Sequence, residues 1–289
     1  MDQAERLRDL VNKRKNVTPD LNNMRVLTVT SGKGGVGKTN FALNLAIYLA
    51  KAGKRVVLID ADFGLANVEL LLGVSPRFSF KEVLSGEATV TEALTTGPEG
   101  VRFLSGGSGL TQLADVTESQ ISILLSGFSQ LEELADILLI DTGAGMSKTV
   151  TNFLKASHEI LVVTTSDPTS IADAYAIMKA IAEDNPKPPQ LKIVINRVEN
   201  HREGAEVFAR LHRVCNRFLN MNPVNLGNIP YDKHLARAVK SQEPVALMYP
   251  NSESSRSIEA ICKRLLNEQM TETVGVKQFL DKWLGFMRN

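Results

Sequence analysis

Along the chain, short apolar runs bounded by turn residues alternate with longer segments whose apolar positions recur at helical spacing. The runs predict strands at Val26–Thr30, Arg55–Asp60, Val101–Ser105, Ile137–Asp141, Glu159–Thr165, Leu191–Ile195 and Val224–Ile229. They are apolar throughout, with no polar alternation, as parallel strands covered on both faces are. Helical spacing predicts helices over Thr39–Ala52, Thr117–Ala135, Lys148–Ala156, Ser170–Glu183, Glu203–Leu219, Lys233–Lys240 and Ser254–Glu268. This alternation predicts an α/β fold, a mainly parallel sheet with helices on both faces. Asn185–Pro189 reads as a helix-ending loop, and Asn16–Asn23 as a tether between a charged N-terminal segment and the first strand. Phe78–Thr96 carries no chemical signature.

Composition narrows the class. Of 289 residues 43% are hydrophobic and 22% charged, which is ordinary globular usage and enough for a large core. Lys and Arg number 33 against 32 Asp and Glu, so nothing in the overall charge points to nucleic acid, and no nucleic-acid partner is expected. The two cysteines, Cys215 and Cys262, form no CxxC pair, which fits a reduced compartment and no cysteine-held metal within one chain. No run approaches the roughly 18 apolar residues that span a bilayer, and the first 23 residues lack a hydrophobic signal core.

The chemistry begins at Ser31–Thr39, SGKGGVGKT, which contains the G-x-x-x-x-G-K-T pattern from Gly32 to Thr39. It follows a predicted strand and opens a predicted helix, the context a P-loop NTPase requires. Glycines let backbone N–H groups turn toward phosphate oxygens, and the helix N-terminus adds its partial positive charge. Gly32, Lys33, Gly34, Gly35, Val36, Gly37, Lys38 and Thr39 are thus the phosphate-binding candidates. Lys38 suits the β- and γ-phosphates and the Thr39 hydroxyl suits Mg²⁺. Asp60 and Asp62 sit two residues apart beyond the second strand, well placed for Mg²⁺ and water near a γ-phosphate. A further apolar strand ends at Asp141, followed by Thr-Gly-Ala-Gly145.

Lys33 inside the loop makes the sequence GKGGVGKT, which resembles the deviant Walker motif of the MinD/ParA-like ATPases. The resemblance spans roughly Met24 to Glu268. It implies that ATP and Mg²⁺ are bound, that ADP and phosphate are the products, and that ATP draws two subunits together. Lys33 then reaches the partner's nucleotide, Asp62 orients the attacking water, Asp60 lies near the magnesium shell, and Asp141 holds a magnesium-bound water. Gly143–Gly145 becomes the switch that senses the γ-phosphate, although many relatives have proline where this chain has Gly143. Asn196 and Arg197, ending one strand, and Pro230 and Tyr231, following the last, enclose adenine in this family. The Asp60–Gly73 stretch is most similar to the FlhG/FleN (YlxH) branch, which controls flagellar number and placement.

Both ends bear on the branch. Asp2–Arg8, DQAERLR, is similar to the DQAxxLR motif of FlhG proteins, where the segment activates FlhF, a GTPase related to the signal recognition particle. The resemblance carries Gln3 to that partner's active site. At the other end Val276, Phe279, Leu280, Trp283, Leu284 and Met287 share one helical face, with Lys277, Lys282 and Arg288 beside them. Such a helix reads as an interfacial anchor for anionic lipid or as a helix docked on the protein's own core. The family carries a membrane-targeting helix at this place. The expected organisation is an activator segment over residues 1–23, an ATPase domain over 24–269 and a membrane-targeting helix over 270–289. The expected protein is a cytoplasmic ATPase switch, peripheral on the inner membrane face with ATP, with FlhF and basal-body (C-ring) components as partners. A MinD/ParA protein positioning division factors or DNA, an iron–sulfur carrier or ligase of the superfamily, and an adaptor with little turnover are the alternatives.

Overall fold

A computed structural model of the chain describes residues 24–62, 67–107, 118–183 and 188–268, together with 279, 280, 282, 283 and 285. Arg25–Thr30 (β1) runs through the glycine loop into Lys38–Lys51 (α1), and Val56–Ala61 (β2) follows. Four short pieces come next: Asn67–Leu72 (α2), Phe80–Ser85 (α3), Val90–Ala93 (α4) and Thr95–Thr96 (β3). Arg102–Leu104 (β4), Glu118–Leu134 (α5), Ile137–Thr142 (β5), Lys148–Ala156 (α6) and Glu159–Thr165 (β6) then alternate. Pro168–Ala182 (α7), Gln190–Val198 (β7), His201–Leu219 (α8) and Val224–Pro230 (β8) continue the pattern, and Lys233–Lys240 (α9), Val245–Met248 (α10) and Glu253–Asn267 (α11) close it.

The strands form one sheet in the order β3-β4-β2-β5-β1-β6-β7-β8. Every neighbouring pair is parallel except β3 with β4. The α/β expectation holds, and each predicted strand and helix is present within a few residues. The short antiparallel edge strand β3 and helices α2, α3, α4 and α10 lie outside the predicted set. α3 and α4 start at capping boxes, in which Ser79 pairs with Glu82 and Thr89 with Glu92. β1, β2 and β5 are buried over their whole length, as their unbroken apolar runs require. α1 and α11 pack on one face of the sheet, and α6, α7 and α8 form a core of their own around β6 and β7.

A third core cluster joins Met24, Val26, Phe80, Phe128 and Phe153 to Phe279, Leu280 and Trp283. Phe279 and Leu280 are 0% exposed and Trp283 is 1% exposed. Phe153 on α6 stacks on Trp283 at 4.5 Å and on Phe279 at 6.3 Å between ring centroids. In this structure, therefore, the three residues read as lipid-facing cover the protein's own core. The Trp283 indole N–H is buried with no hydrogen-bond partner among the described residues. The side chains of Leu284, Met287 and Gln3, and all of residues 1–23, lie outside the described residues.

At the amino ends of β1, β6 and β7 a buried ionic cluster closes the far side of the sheet. Arg25 grips Glu159 with two bonds of 2.7 Å and donates to the Leu265 carbonyl at 2.8 Å. Lys192, 1% exposed, bonds Glu159 at 2.8 Å and also Glu268. Burial pushes the Glu159 pKa up, but the Arg25 and Lys192 bonds outweigh it and leave the carboxyl below its ordinary value.

Candidate active site

β1, β2, β5, β7 and β8 end on one rim, the position at which open α/β sheets bind ligands. The glycine loop fills the gap between β1 and α1. Gly37, with φ +93°, caps α1 in a left-handed conformation, and a Cβ there would come within 2.4 Å of the Asn196 amide. Gly32 allows close approach instead, since a Cβ would press within 2.3 Å of the Asp173 backbone on α7. Gly34 and Gly35 are exposed, with open space around them, so no side chain blocks the loop's N–H groups from an anion.

Beneath the loop lies a group of buried charges. Lys38 Nζ donates to Asp141 Oδ1 at 2.7 Å and to Thr39 Oγ1 at 3.3 Å. Asp60 and Asp141 are register partners on β2 and β5 and are both almost fully buried. Asp60 accepts from the backbone N–H groups of Asp62 (3.2 Å), Asn67 (2.9 Å) and Val68 (3.1 Å). Burial, with the Asp141 charge adding to it, raises the Asp60 pKa to about 7 despite those donors. Burial also raises Asp141, against the pull of Lys38. Held by these N–H groups, Asp60 anchors the start of α2. Asp141 Oδ2 is buried without a hydrogen-bond partner among the described residues. That free carboxylate oxygen and the Thr39 hydroxyl are a donor set that fits a Mg²⁺ ion and its water, with substrate phosphates supplying further oxygens.

Asp62 stands higher, half-buried, and accepts from Asn67 Nδ2 at 3.2 Å. A Cβ at Gly143 would lie 3.5 Å from Asp62 Oδ1 and 3.6 Å from Val150, so Gly143 sits between the acid and the first turn of α6. Gly145 N–H donates to the Ser31 carbonyl at 3.0 Å, which ties the Gly143–Gly145 loop to the glycine loop.

One cavity of about 680 Å³ runs from the loop outward and is lined by Lys38, Thr39, Asp62, Arg197, Pro230 and Tyr231, among others. It thus gathers the glycine loop, Asp62 and the segments that carry Arg197, Pro230 and Tyr231. A bulge in β7 between Asn196 and Val198 places Arg197 at φ +57°, and Arg197 is exposed in the cavity wall. Asn196 lies at its edge with its amide turned to the loop. Lys33 lies outside it; its Nζ is exposed and donates to Thr169 Oγ1 at 2.8 Å. The pattern reading passed over Asn67, which bonds Asp62, and the apolar residues Leu70, Leu71 and Val239 that line the outer part. Asn67 lies in the FlhG-like stretch Asp60–Gly73, but nothing in the pattern gave it a partner.

Comparison with known proteins agrees with this geometry. The CobQ/CobB/MinD/ParA nucleotide binding domain matches residues 27–245. The antiactivator FleN of Pseudomonas aeruginosa is 38% identical over 84% of this chain and 86% of its own length. The flagellum site-determining protein YlxH of Helicobacter pylori is 32% identical over 99% of both chains. Among solved structures, the MinD cell division protein of Aquifex aeolicus has a TM-score of 0.67 at 25% identity and covers 85% of this chain and 98% of its own. The chain belongs to the MinD/ParA nucleotide-binding family, and within it to the FlhG/FleN branch.

Proposed function

We propose that the protein is an ATP-hydrolysing switch that regulates flagellar number or placement. The observation that carries this reading is the single cavity lined by the glycine loop, by Asp62 beside the Gly143 switch, and by Arg197, Pro230 and Tyr231. Its relatives FleN and YlxH supply the flagellar setting through their names.

In this reading Lys38 leaves Asp141 and takes the charge of the β- and γ-phosphates, while the loop N–H groups fix their positions. Asp62 orients a water molecule toward the γ-phosphorus and accepts hydrogen bonding from it. Thr39 and Asp141 would hold Mg²⁺, which would supply charge neutralisation at the phosphates. Lys33, exposed on the loop's outer face, completes the site of a second subunit, so ATP joins two copies. Turnover is slow, because its product is a timed change of state.

The same cycle governs the C-terminal segment. Gly143 lies beside Val150 on α6, and α6 carries Phe153, on which Trp283 and Phe279 stack. Rearrangement of the switch around the γ-phosphate shifts α6 and weakens that stack. The freed helix then lies on anionic lipid at the inner membrane face. One such helix holds lipid marginally, whereas two in a dimer gain about a hundredfold or more in avidity. The N-terminal segment acts separately on FlhF, with Gln3 entering the GTPase site, and basal-body components are the cargo.

Two assays test the proposal. ATP turnover by the full chain should be measurable and should rise with anionic vesicles. The peptide 1–23 should stimulate GTP hydrolysis by the FlhF GTPase, and Gln3→Ala should remove the effect. No ATP turnover under either condition would reduce the protein to a nucleotide-stabilised adaptor, and no stimulation would remove FlhF as the partner.

A further inference from the structure

Past Leu104, which pairs with Ile59 at the end of the β2–β4 ladder, Ser105–Gly107 leave the sheet beside the Asp60–Asp62 turn. All three residues are buried. Gly106 lies so close to the turn that a Cβ there would come within 2.6 Å of the Asp60 carbonyl oxygen and 3.4 Å of the Asp62 carbonyl oxygen. The Ser105 hydroxyl donates to Glu69 Oε2 on α2 at 2.8 Å and accepts from the Gly107 N–H at 3.2 Å. The Ser105 carbonyl accepts from the Phe80 N–H at 2.8 Å, which fixes the segment to the start of α3. The segment reaches Asp62 by main chain and by side chain. Gly106 backs the turn directly. Ser105 holds Glu69, and Glu69 shares α2 with Asn67, whose side chain donates to Asp62 Oδ2. Ser105, Gly106 and Glu69 all lie outside the nucleotide cavity.

We infer that Ser105 and Gly106 are positioning residues for Asp62, a backstop that fixes where the acid stands in the cavity. Asp62 is half-buried on a turn beyond the end of β2, so its place depends on what packs behind that turn and on what holds α2. A displacement of about 1 Å at a residue that orients a reactant can cost about a hundredfold in rate. Hydrogen bonds to a carboxylate are roughly twice as strong as neutral ones, so the Ser105–Glu69 bond is a firm hold on α2. The inference rests on the reading of Asp62 as the residue that orients the attacking water.

Comparing binding with turnover in the full chain separates this role from a loss of stability. Ser105→Ala should slow phosphate release about tenfold and leave ATP affinity, measured by calorimetry, at the wild-type value. Gly106→Ala, whose Cβ must push the turn aside, should slow release about a hundredfold with the same affinity. Glu69→Ala should match Ser105→Ala, and Glu69→Gln, which keeps an oxygen for the Ser105 hydroxyl, should restore most of the rate. In single-turnover measurements neither Ser105→Ala nor Gly106→Ala should slow the Asp62→Ala protein further, since no acid is left to position. Ser105→Ala carries the test if Gly106→Ala does not fold. Ser105→Ala and Gly106→Ala proteins that release phosphate at the wild-type rate, beside a slow Asp62→Ala protein, would overturn the inference. So would variants whose ATP affinity falls along with their rate, or that slow Asp62→Ala further. An Asp62→Ala protein with wild-type turnover would overturn the reading of Asp62 itself, and this assignment with it.

Discussion

One ammonium group, Lys38, answers for two buried carboxylates, Asp141 in direct contact and Asp60 beside it. The arrangement holds the lysine at the loop until a stronger anion competes for it. Asp62 sits apart from this group, on the cavity side, next to the switch glycine. The two residues should therefore fail differently. Lys38→Ala should weaken ATP binding about a hundredfold, as lost charge-assisted bonds to phosphate do. Asp62→Ala should bind ATP as well as wild type but turn over about a hundred to ten thousand times more slowly, the range for a residue that directs a water. Calorimetry and phosphate release measure the two effects, and an Asp62→Ala protein with normal turnover would remove that residue from the mechanism. Phosphate binding uses contiguous residues in a fixed pattern, so Gly32–Thr39 and the acids at the strand ends were legible in the sequence. The bond from the Asn196 amide to the Val36 carbonyl was not, because that carbonyl lies on a distant loop and no spacing rule connects them.

At the scale of elements, apolar runs located β1, β2, β5 and β6 because those parallel strands are covered on both faces. β3, with two residues, and the short helices offer too few positions for any period to emerge. The capping pairs in Ser79-Phe-Lys-Glu82 and Thr89-Val-Thr-Glu92 were the available signal for α3 and α4. The C-terminal stripe was legible as amphipathic, but periodicity does not say what covers an apolar face, and here Met24, Val26 and Phe153 do. The ionic cluster that ties β1, β6, β7 and α11 together yields a pH prediction. Glu159 has a depressed pKa, so its contribution is present above the unfolded value of about 4.3 and is lost as pH falls through the lower folded one. Glu159→Gln should cost about 3 kcal/mol at neutral pH, leaving Arg25 and Lys192 short of a partner in the interior. Denaturant titration should show that deficit shrinking below about pH 4. A deficit that is constant with pH would mean that the side chain acts through packing alone.

For the whole molecule, one nine-residue helix, α6, runs from beside Gly143, next to the cavity residue Asp62, to the C-terminal dock. Its first turn touches the switch glycine, and Phe153 in its second half stacks on Trp283. The dock is apolar, and the indole N–H of Trp283 has no partner among the described residues. Trp283 is the chain's single tryptophan, so its emission reports on that segment alone. The most direct test of the switch is quenching of Trp283 by bromine-labelled lipid in anionic vesicles, compared between ATP and ADP in the Asp62→Ala protein. Strong quenching with ATP and little with ADP is the predicted result. Emission that stays unquenched with either nucleotide would show that the helix remains in its dock and that ATP does not control the membrane.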